Sequence, residues 1–314
     1  MRVAVTGATG FLGGHLVTRL LADGHEVVAV VRDRTKAATL QQRGAAIILA
    51  DLTGPVETTL IADAFVHAAA LSSNWGRRED FVAANIHGTD TAIALARAMG
   101  VRRFVHISSP SIYFRLADQL DVREDVPLPA PINPYAETKA IAEQRVLAAA
   151  DLQPLILRPR GIFGHGDTAL LPRLVRAARR GPLPLLRDGQ AVTGLTHVDD
   201  VVDAIIAALE AGDAAVGHAI NISGEARRVR DIADAACARH GINVRWRALP
   251  TGLALAGARM METVCATLPG RPEPIATVYS LGLFAYSQTL DTARAAELLG
   301  WGPRVSFDEG LART

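Results

Sequence analysis

The sequence predicts an α/β fold in which a doubly wound parallel sheet is covered by helices on both faces. Short apolar, β-branched runs alternate with longer amphipathic patterns through the first half of the chain. Strands separated by helices imply right-handed βαβ crossovers and therefore a parallel sheet. The runs are apolar almost throughout, which is typical of strands buried on both faces. A chain of 314 residues is long enough for such a sheet and a second, smaller lobe.

The elements follow in order along the chain. Six strands are predicted in the first half, at 2–6, 26–32, 45–50, 64–69, 103–108 and 154–158. The first helix, near 11–23, has an apolar face and ends at Gly24, a favourable C-cap. After about residue 160 the alternation breaks, because loops rich in Gly and Pro separate the remaining elements. These are predicted helices near 169–180, 199–211 and 229–240 and a short strand at 218–222.

Composition excludes several classes of function. With 33 Lys+Arg and 32 Asp+Glu, the net charge of +1 gives no global attraction to nucleic acid or an anionic membrane. The longest uncharged stretch, 274–290, contains Pro274 and Gly282 and is shorter than the ~20 apolar residues of a bilayer span. We expect it to be buried or substrate-facing. Two cysteines form neither a disulfide framework nor a metal pattern, and no signal peptide is visible, so a cytoplasmic location is expected.

A glycine-rich segment, TGATGFLG at 6–13, follows the first predicted strand and opens the first helix. Gly7, Gly10 and Gly13 allow a tight turn, close approach of the backbone to a pyrophosphate, and close helix–strand packing. The start of the helix adds free N–H groups and the positive end of the helix dipole. The segment therefore predicts a dinucleotide phosphate site, although its first glycine gap is one residue wider than in the G-x-G-x-x-G pattern.

The end of the second strand bears on which dinucleotide is bound. An acidic residue there would hydrogen-bond an adenine-ribose 2′-hydroxyl, whereas a guanidinium favours a 2′-phosphate. Arg32 occupies this place, with Arg34 and Lys36 close behind. The pattern favours NADP. NAD stays open, because a shift of one residue would bring Asp33 to the ribose.

The segment PINPYAETK at 131–139 predicts the start of a helix on which Tyr135 and Lys139 share one face. An ammonium beside a phenol lowers the pKa of the phenol from ~10 toward neutrality, so that the phenol can exchange a proton with a carbonyl or alcohol oxygen. The spacing alone also fits a surface pair. Hydroxyl groups that could orient a substrate oxygen follow the fifth strand, where ligands of parallel sheets bind, at Ser108, Ser109 and Ser111.

Further short motifs are DL at 51–52, VHAAA at 66–70, NIHGT at 85–89, RP at 158–159 and HVDD at 197–200. With the glycine loop and the Ser–Tyr–Lys set, they resemble the extended short-chain dehydrogenases/reductases, also called the NAD-dependent epimerase/dehydratase family, over nearly the whole chain. The resemblance implies a Rossmann-type fold with Ser109, Tyr135 and Lys139 as catalytic residues. It also implies cofactor contacts from Tyr135 and Lys139 and from Gly7, Thr9, Gly10, Phe11, Leu12, Gly13, Arg32, Asp51, Leu52, Ala68, Ala69 and Asn85.

The change of pattern after residue 160 also predicts a domain division, and the resemblance implies a possible homodimer. Residues 1–160 would bind the cofactor, with 192–222 returning to that unit, and residues 161–191 and 223–314 would form the substrate lobe. Phe114 stands in place of the family's glycine, which is a departure from its pattern. The apolar stretch between Arg271 and Asp291 looks like the 3β-hydroxysteroid dehydrogenase and dihydroflavonol reductase branch. Histidines at metal spacing are absent, and we expect no metal.

The sequence therefore predicts an NADP-dependent oxidoreductase that acts on a ketone or secondary alcohol of a fairly apolar small molecule. One alternative is a nucleotide-sugar epimerase or dehydratase that retains NAD and uses the same residues. A second is an NADP-sensing binding protein without activity, against which the intact Ser109, Tyr135 and Lys139 weigh.

Overall fold

The computed structural model describes residues 1–314, and its central element is a seven-stranded parallel sheet. The strands of the protein are β1 (Arg2–Thr6), β2 (Glu26–Val31), β3 (Ala46–Leu49), β4 (Ala64–His67), β5 (Arg103–Ile107), β6 (Gln119–Val122), β7 (Pro154–Pro159), β8 (Ile162–Phe163), β9 (Leu183–Leu185), β10 (Val192–Gly194), β11 (Thr196–His197), β12 (Ala219–Ile222), β13 (Ala226–Arg228), β14 (Trp246–Ala248) and β15 (Gln288–Leu290). The large sheet has the order β12-β7-β5-β4-β1-β2-β3, and every neighbouring pair in it is parallel.

Helices connect these strands. They are α1 (Phe11–Ala22), α2 (Arg34–Gln42), α3 (Arg78–Phe81), α4 (Gly88–Ala98), α5 (Pro134–Ala148), α6 (Leu171–Arg180), α7 (Val198–Glu210), α8 (Val229–Ala238), α9 (Thr251–Thr267), α10 (Val278–Ala285), α11 (Ala293–Leu299) and α12 (Phe307–Ala312), with a π-helical turn at Val82–His87 between α3 and α4. None of them is long and apolar enough to cross a bilayer. No group of three or more His, Cys, Asp or Glu side chains is placed to hold a metal ion.

The core lies on both faces of the sheet, because apolar side chains of each strand point alternately to opposite sides. One cluster joins Val3 and Val5 of β1 to α1 and α7. The other joins Ala4 of the same strand to α4 and α5. The predicted doubly wound parallel sheet is confirmed, and the seven predicted strands lie within two residues of their observed bounds.

Beyond residue 160 the outcome is more mixed. Helices α6, α7 and α8 lie where predicted, and β12 joins the edge of the large sheet beside β7. A second, four-stranded sheet has the order β13-β10-β15-β6. The stretch 274–290 was expected to be buried or substrate-facing. Val278 and Tyr279 on α10 are buried, whereas Ile275 is 95% exposed, and whether the stretch faces a substrate stays a prediction.

Candidate active site

The glycine loop makes a tight, backbone-only turn between β1 and α1. Gly7 has φ +69°, and a Cβ there would lie 2.9 Å from the backbone of Ala68 and Ala69, beyond the end of β4. A Cβ on Gly13 would lie 2.2 Å from the Gly7 carbonyl oxygen. Both glycines are therefore required for the loop to close against its neighbours.

The loop leaves the start of α1 open to an anion. Gly10 precedes the helix and offers no side-chain cap, so N–H groups of the first turn have no capping partner. Thr9 and Gly10 are exposed, and Phe11 and Leu12 are half-buried. The free N–H groups and the helix dipole suit a phosphate. These residues fit the pyrophosphate of a dinucleotide, as the sequence predicts.

The carboxyl ends of β2 and β3 carry the residues expected on the adenosine side. Arg32 is exposed and makes no ion pair within the protein, although it lies near enough to Asp51 to help lower the pKa of that carboxyl. The Asp33 carboxylate caps α2, accepting N–H bonds from Thr35 at 2.8 Å and Lys36 at 3.2 Å. Asp33 is therefore engaged in its own helix, and Arg32 is left free for a ligand.

Asp51 and Leu52 lie in the loop after β3. The Asp51 carboxylate accepts the N–H of Thr53 at 3.0 Å, the main reason that its pKa lies below the usual range. Asp51 is exposed and Leu52 is half-buried. The loop thus places an ionised carboxylate and an apolar side chain beside Arg32, on the adenosine side.

A buried hydrogen-bond chain that the sequence did not predict runs through His67. Thr6 Oγ1 lies 2.8 Å from His67 Nδ1, and His67 Nε2 lies 3.1 Å from Thr89 Oγ1. Thr89 donates to the Asn85 carbonyl, so His67 carries its proton on Nε2 and accepts the Thr6 hydroxyl proton on Nδ1. Burial, together with the positive charge of the nearby Lys139, lowers the pKa of His67 to about 3. His67 is therefore a neutral structural link.

Asn85 extends this chain to the catalytic helix. Its side-chain oxygen accepts the N–H of Leu71 at 2.7 Å, and its amide nitrogen donates to Thr138 Oγ1 at 3.0 Å and to the Leu71 carbonyl at 3.3 Å. Asn85 lies in the π-helical turn, a distortion that often marks functional sites. Its amide is fully used within the protein. It therefore holds the loop after β4 against α5, and a direct contact with a cofactor stays a prediction.

Tyr135 and Ser109 meet at the carboxyl edge of the sheet. Ser109 follows β5 and caps a short 3-10 helix at Pro110–Tyr113 by accepting the Ser111 N–H at 3.2 Å, which leaves its own proton free. Burial raises the pKa of the Tyr135 phenol, while the adjacent hydroxyls of Ser72 and Ser109 act to lower it. A protonated phenol next to a free hydroxyl donor can hold and protonate a carbonyl oxygen.

Lys139 lies on the same helix but makes different contacts. Its Nζ donates to the Ile107 carbonyl at 2.7 Å and lies 3.0 Å from His106 Nε2. The side chain is buried, and burial lowers its pKa to about 8. The predicted action of Lys139 on the Tyr135 pKa therefore stays a prediction. Lys139 is held by His106 at the end of β5, a partner on a distant segment that residue spacing could not indicate.

Two other motifs stabilise the surroundings of the site. Arg158 and Glu143 form a buried ion pair, in which Arg158 Nε lies 2.8 Å from the carboxylate and the guanidinium also contacts the buried Tyr113 hydroxyl. In HVDD, the Asp200 carboxylate accepts the N–H groups of Arg304 and Val305, each at 3.1 Å. Both motifs therefore support the structure around the site.

Phe114, which departs from the family pattern, packs against α10. Its ring meets the ring of Tyr279 edge-on at 4.9 Å. A Cβ on Gly282 would come within 2.7 Å of the Phe114 ring, so the glycine in α10 accommodates the larger side chain. The 274–290 stretch thereby brings Tyr279 toward the catalytic edge of the sheet, where it acts on the pKa of Tyr135.

The comparisons with known proteins agree with this geometry. Residues 3–223 match the model of the NAD dependent epimerase/dehydratase family. A 2-alkyl-3-oxoalkanoate reductase of Stenotrophomonas maltophilia is 36% identical over 330 residues, covering 100% of this chain and 98% of that protein. A 4-hydroxy-2-methyl-3-oxo-4-farnesyl-3,4-dihydroquinoline-1-oxide ketoreductase of Stigmatella aurantiaca is 32% identical, covering 99% and 95%. MoeE5 in complex with UDP-glucuronic acid and NAD superposes with a TM-score of 0.76 at 28% identity, covering 100% and 97%.

Proposed function

Because this chain belongs to the NAD-dependent epimerase/dehydratase family, we propose that it is an NADP-dependent reductase or dehydrogenase for a ketone or secondary alcohol in a small, fairly apolar molecule. Membership and the named reductase relatives make it an NAD(P)-dependent oxidoreductase. The finer assignment rests chiefly on one observation. Tyr135 and Ser109 bring a phenol and a hydroxyl donor together at the sheet edge that the glycine loop also faces.

Each residue has a separate role in this proposal. Nicotinamide, when bound, supplies or accepts the hydride. Ser109 donates a hydrogen bond that fixes the substrate oxygen, and Tyr135 gives a proton to that oxygen in reduction or removes it in oxidation. Lys139, whose pKa of about 8 leaves it mostly protonated at neutral pH, holds the ribose and adds positive charge near the phenol.

The choice of NADP rests on Arg32. The guanidinium is exposed and unpaired at the end of β2, while Asp33 is committed to capping α2. A 2′-phosphate would gain a charge-assisted hydrogen bond from Arg32 without a competing carboxylate. For the substrate side we propose that residues 161–191 and 223–314 supply the pocket, because α10 places Tyr279 against Phe114, close enough to act on the Tyr135 phenol.

The test is a panel of ketones and alcohols assayed with NADPH and NADH in parallel, using wild type and Tyr135→Phe. We expect NADPH-dependent turnover that falls by orders of magnitude in Tyr135→Phe with little change in cofactor affinity, because the lost hydroxyl is the proton donor and only one of many cofactor contacts. Tyr286→Phe, which alters a tyrosine packed under Arg187, is the matched control and should retain wild-type turnover. Near-wild-type turnover in Tyr135→Phe would overturn the catalytic assignment.

The likeness to MoeE5, whose structure holds UDP-glucuronic acid and NAD, keeps a nucleotide-sugar epimerase as the second candidate. The same Tyr135 and Ser109 could serve a transient oxidation at a sugar hydroxyl. Purified protein that retains NAD and forms product without net cofactor consumption would favour the epimerase over the reductase.

A further inference from the structure

The structure contains a second buried arginine near the catalytic edge, and it lacks a counter-charge. Arg160 follows β7 directly and is only 6% exposed. Its Nε donates to Thr193 Oγ1 at 3.0 Å, and its backbone N–H bonds to the Ile222 carbonyl at 2.8 Å. No carboxylate is among the groups that act on it. By contrast, Arg158, two residues earlier, is paired with Glu143.

A buried guanidinium without a carboxylate is energetically costly, because burial removes much of its hydration and the neutral hydroxyls of Thr193 and Tyr279 do not balance its charge. The surroundings of Arg160 are neutral. Gly194 and Ser223 flank it, since a Cβ built on Gly194 would touch both side chains, and the Tyr279 hydroxyl lies against the guanidinium. Burial lowers the pKa of Arg160, and Tyr279 is the only neighbour that acts to raise it. The site is therefore electrostatically incomplete until an anion binds.

The position of Arg160 indicates whether the cofactor or the substrate supplies that anion. The sheet order places β7 three strands from β1, which carries the phosphate loop. At a strand spacing of ~4.8 Å this is roughly 14 Å, too far for the pyrophosphate. Ser109 follows β5, the direct neighbour of β7. Tyr279 is close enough to influence both the Arg160 guanidinium and the Tyr135 phenol. Arg160 thus lies on the substrate side of the proton donor.

We propose that Arg160 binds a carboxylate of the substrate, so that the preferred substrates are keto acids or hydroxy acids whose carboxylate is close to the reacting carbon. The carboxylate must reach Arg160 while the ketone reaches Tyr135, and both side chains have Tyr279 as a neighbour. A 3-oxo acid fits, because only one carbon separates its carboxylate from its ketone. This inference rests on the proposed reductase function and specifies its substrate class. Tyr279, which acts on both groups, would position the guanidinium.

The test uses the stable pair 3-hydroxydecanoate and its methyl ester, with wild type, Arg160→Met, Arg160→Lys and the exposed-arginine control Arg180→Met. Calorimetry on the protein–NADPH complex measures binding without turnover, and NADPH formation from NADP measures kcat/KM. We expect wild type and Arg180→Met to prefer the acid about 10- to 100-fold, the range of one charge-assisted hydrogen bond. Arg160→Met should lose this preference in both measurements with unchanged NADPH affinity, and Arg160→Lys should keep part of it.

The remaining outcomes separate this inference from the proposed function. Acid binding that depends on Arg160 without any oxidation supports the carboxylate site and counts against the reductase. Oxidation of acid and ester with equal kcat/KM supports the reductase and overturns the site. Equal weakening of acid and ester in Arg160→Met, or no acid binding by wild type, also overturns it. Folding can be checked directly, since removal of an unpaired buried charge should leave Tm unchanged or higher.

Discussion

The close contact between Gly13 and Gly7 predicts that an alanine at position 13 destabilises the protein. The next residue of α1, Gly14, is also a glycine and provides a matched control. In Gly13→Ala the new Cβ would lie 2.2 Å from the Gly7 carbonyl oxygen and 2.7 Å from its carbon. Ordinary carbon–oxygen contacts begin at ~3.3 Å, so α1 and the loop must separate by about 1 Å. The opposing atoms are backbone and cannot rotate away. Overpacking of this kind costs about 1–3 kcal/mol, which exceeds the gain of up to ~1 kcal/mol from replacing a helical glycine.

Gly14→Ala is the matched control. Its Cβ would lie 3.8 Å from the nearest atom, the Ala8 carbonyl oxygen, which is an ordinary contact. We therefore expect the free energy of unfolding, measured by urea denaturation, to fall by about 1–2 kcal/mol in Gly13→Ala and to stay or rise by up to ~1 kcal/mol in Gly14→Ala.

Cofactor affinity provides the second measurement. Displacing the N–H groups at the start of α1 by about 1 Å should weaken NADPH binding at least ~10-fold in Gly13→Ala, since N–H···O bonds weaken beyond ~3.2 Å. Titration of NADPH fluorescence should show wild-type affinity for Gly14→Ala. If both variants bind and unfold alike, the close packing of α1 on the loop does not determine the phosphate site, and the reasoning fails.

Three further predictions follow from the buried and exposed charges. Glu143→Gln leaves Arg158 buried without its counter-charge, so the free energy of unfolding measured by urea denaturation should fall by about 3–5 kcal/mol. A decrease below ~1 kcal/mol would contradict a stabilising pair. His67, with a pKa of about 3 against an ordinary 6.5, takes up a proton only in the unfolded chain between those values. Stability should therefore fall as the pH drops through that window, by at most about 5 kcal/mol from this group, and an unchanged slope in His67→Gln would exclude it as a cause. Arg32→Glu should raise the KM for NADPH about 10- to 100-fold with little change for NADH, and equal effects on both cofactors would count against the 2′-phosphate contact.

Much of the fold could be predicted from the sequence because the signals involved are local. The strands of the large sheet are short apolar runs, and α1 is bounded by the glycine loop and Gly24, so residue periodicity and turn residues define them. Helix α9 was not predicted, because it lacks such a local signal. Only Leu255 and Ala258 of its residues are buried, so its sequence has no clear apolar face.

The chemistry of the site was predicted less completely, because it depends on contacts between distant segments. His106 and Lys139 are 33 positions apart, and their contact exists only once α5 packs on β5. The same holds for Asn85 and Thr138, which are 53 positions apart. The environment of Arg160 could not be predicted from the sequence, since its burial without a neighbouring carboxylate arises only in the folded chain.

The chain of hydrogen bonds through His67 has a consequence for how the molecule can vary. It runs from Thr6 beside the glycine loop through Thr89 and Asn85 to Thr138 on the catalytic helix. Because every link is buried and hydrogen-bonded, the glycine loop and α5 are coupled, so that a change at one of these residues also affects its neighbours in the chain. Segments that take no part in this hydrogen-bond chain, such as α10, can therefore change sequence without disturbing the link between the glycine loop and α5.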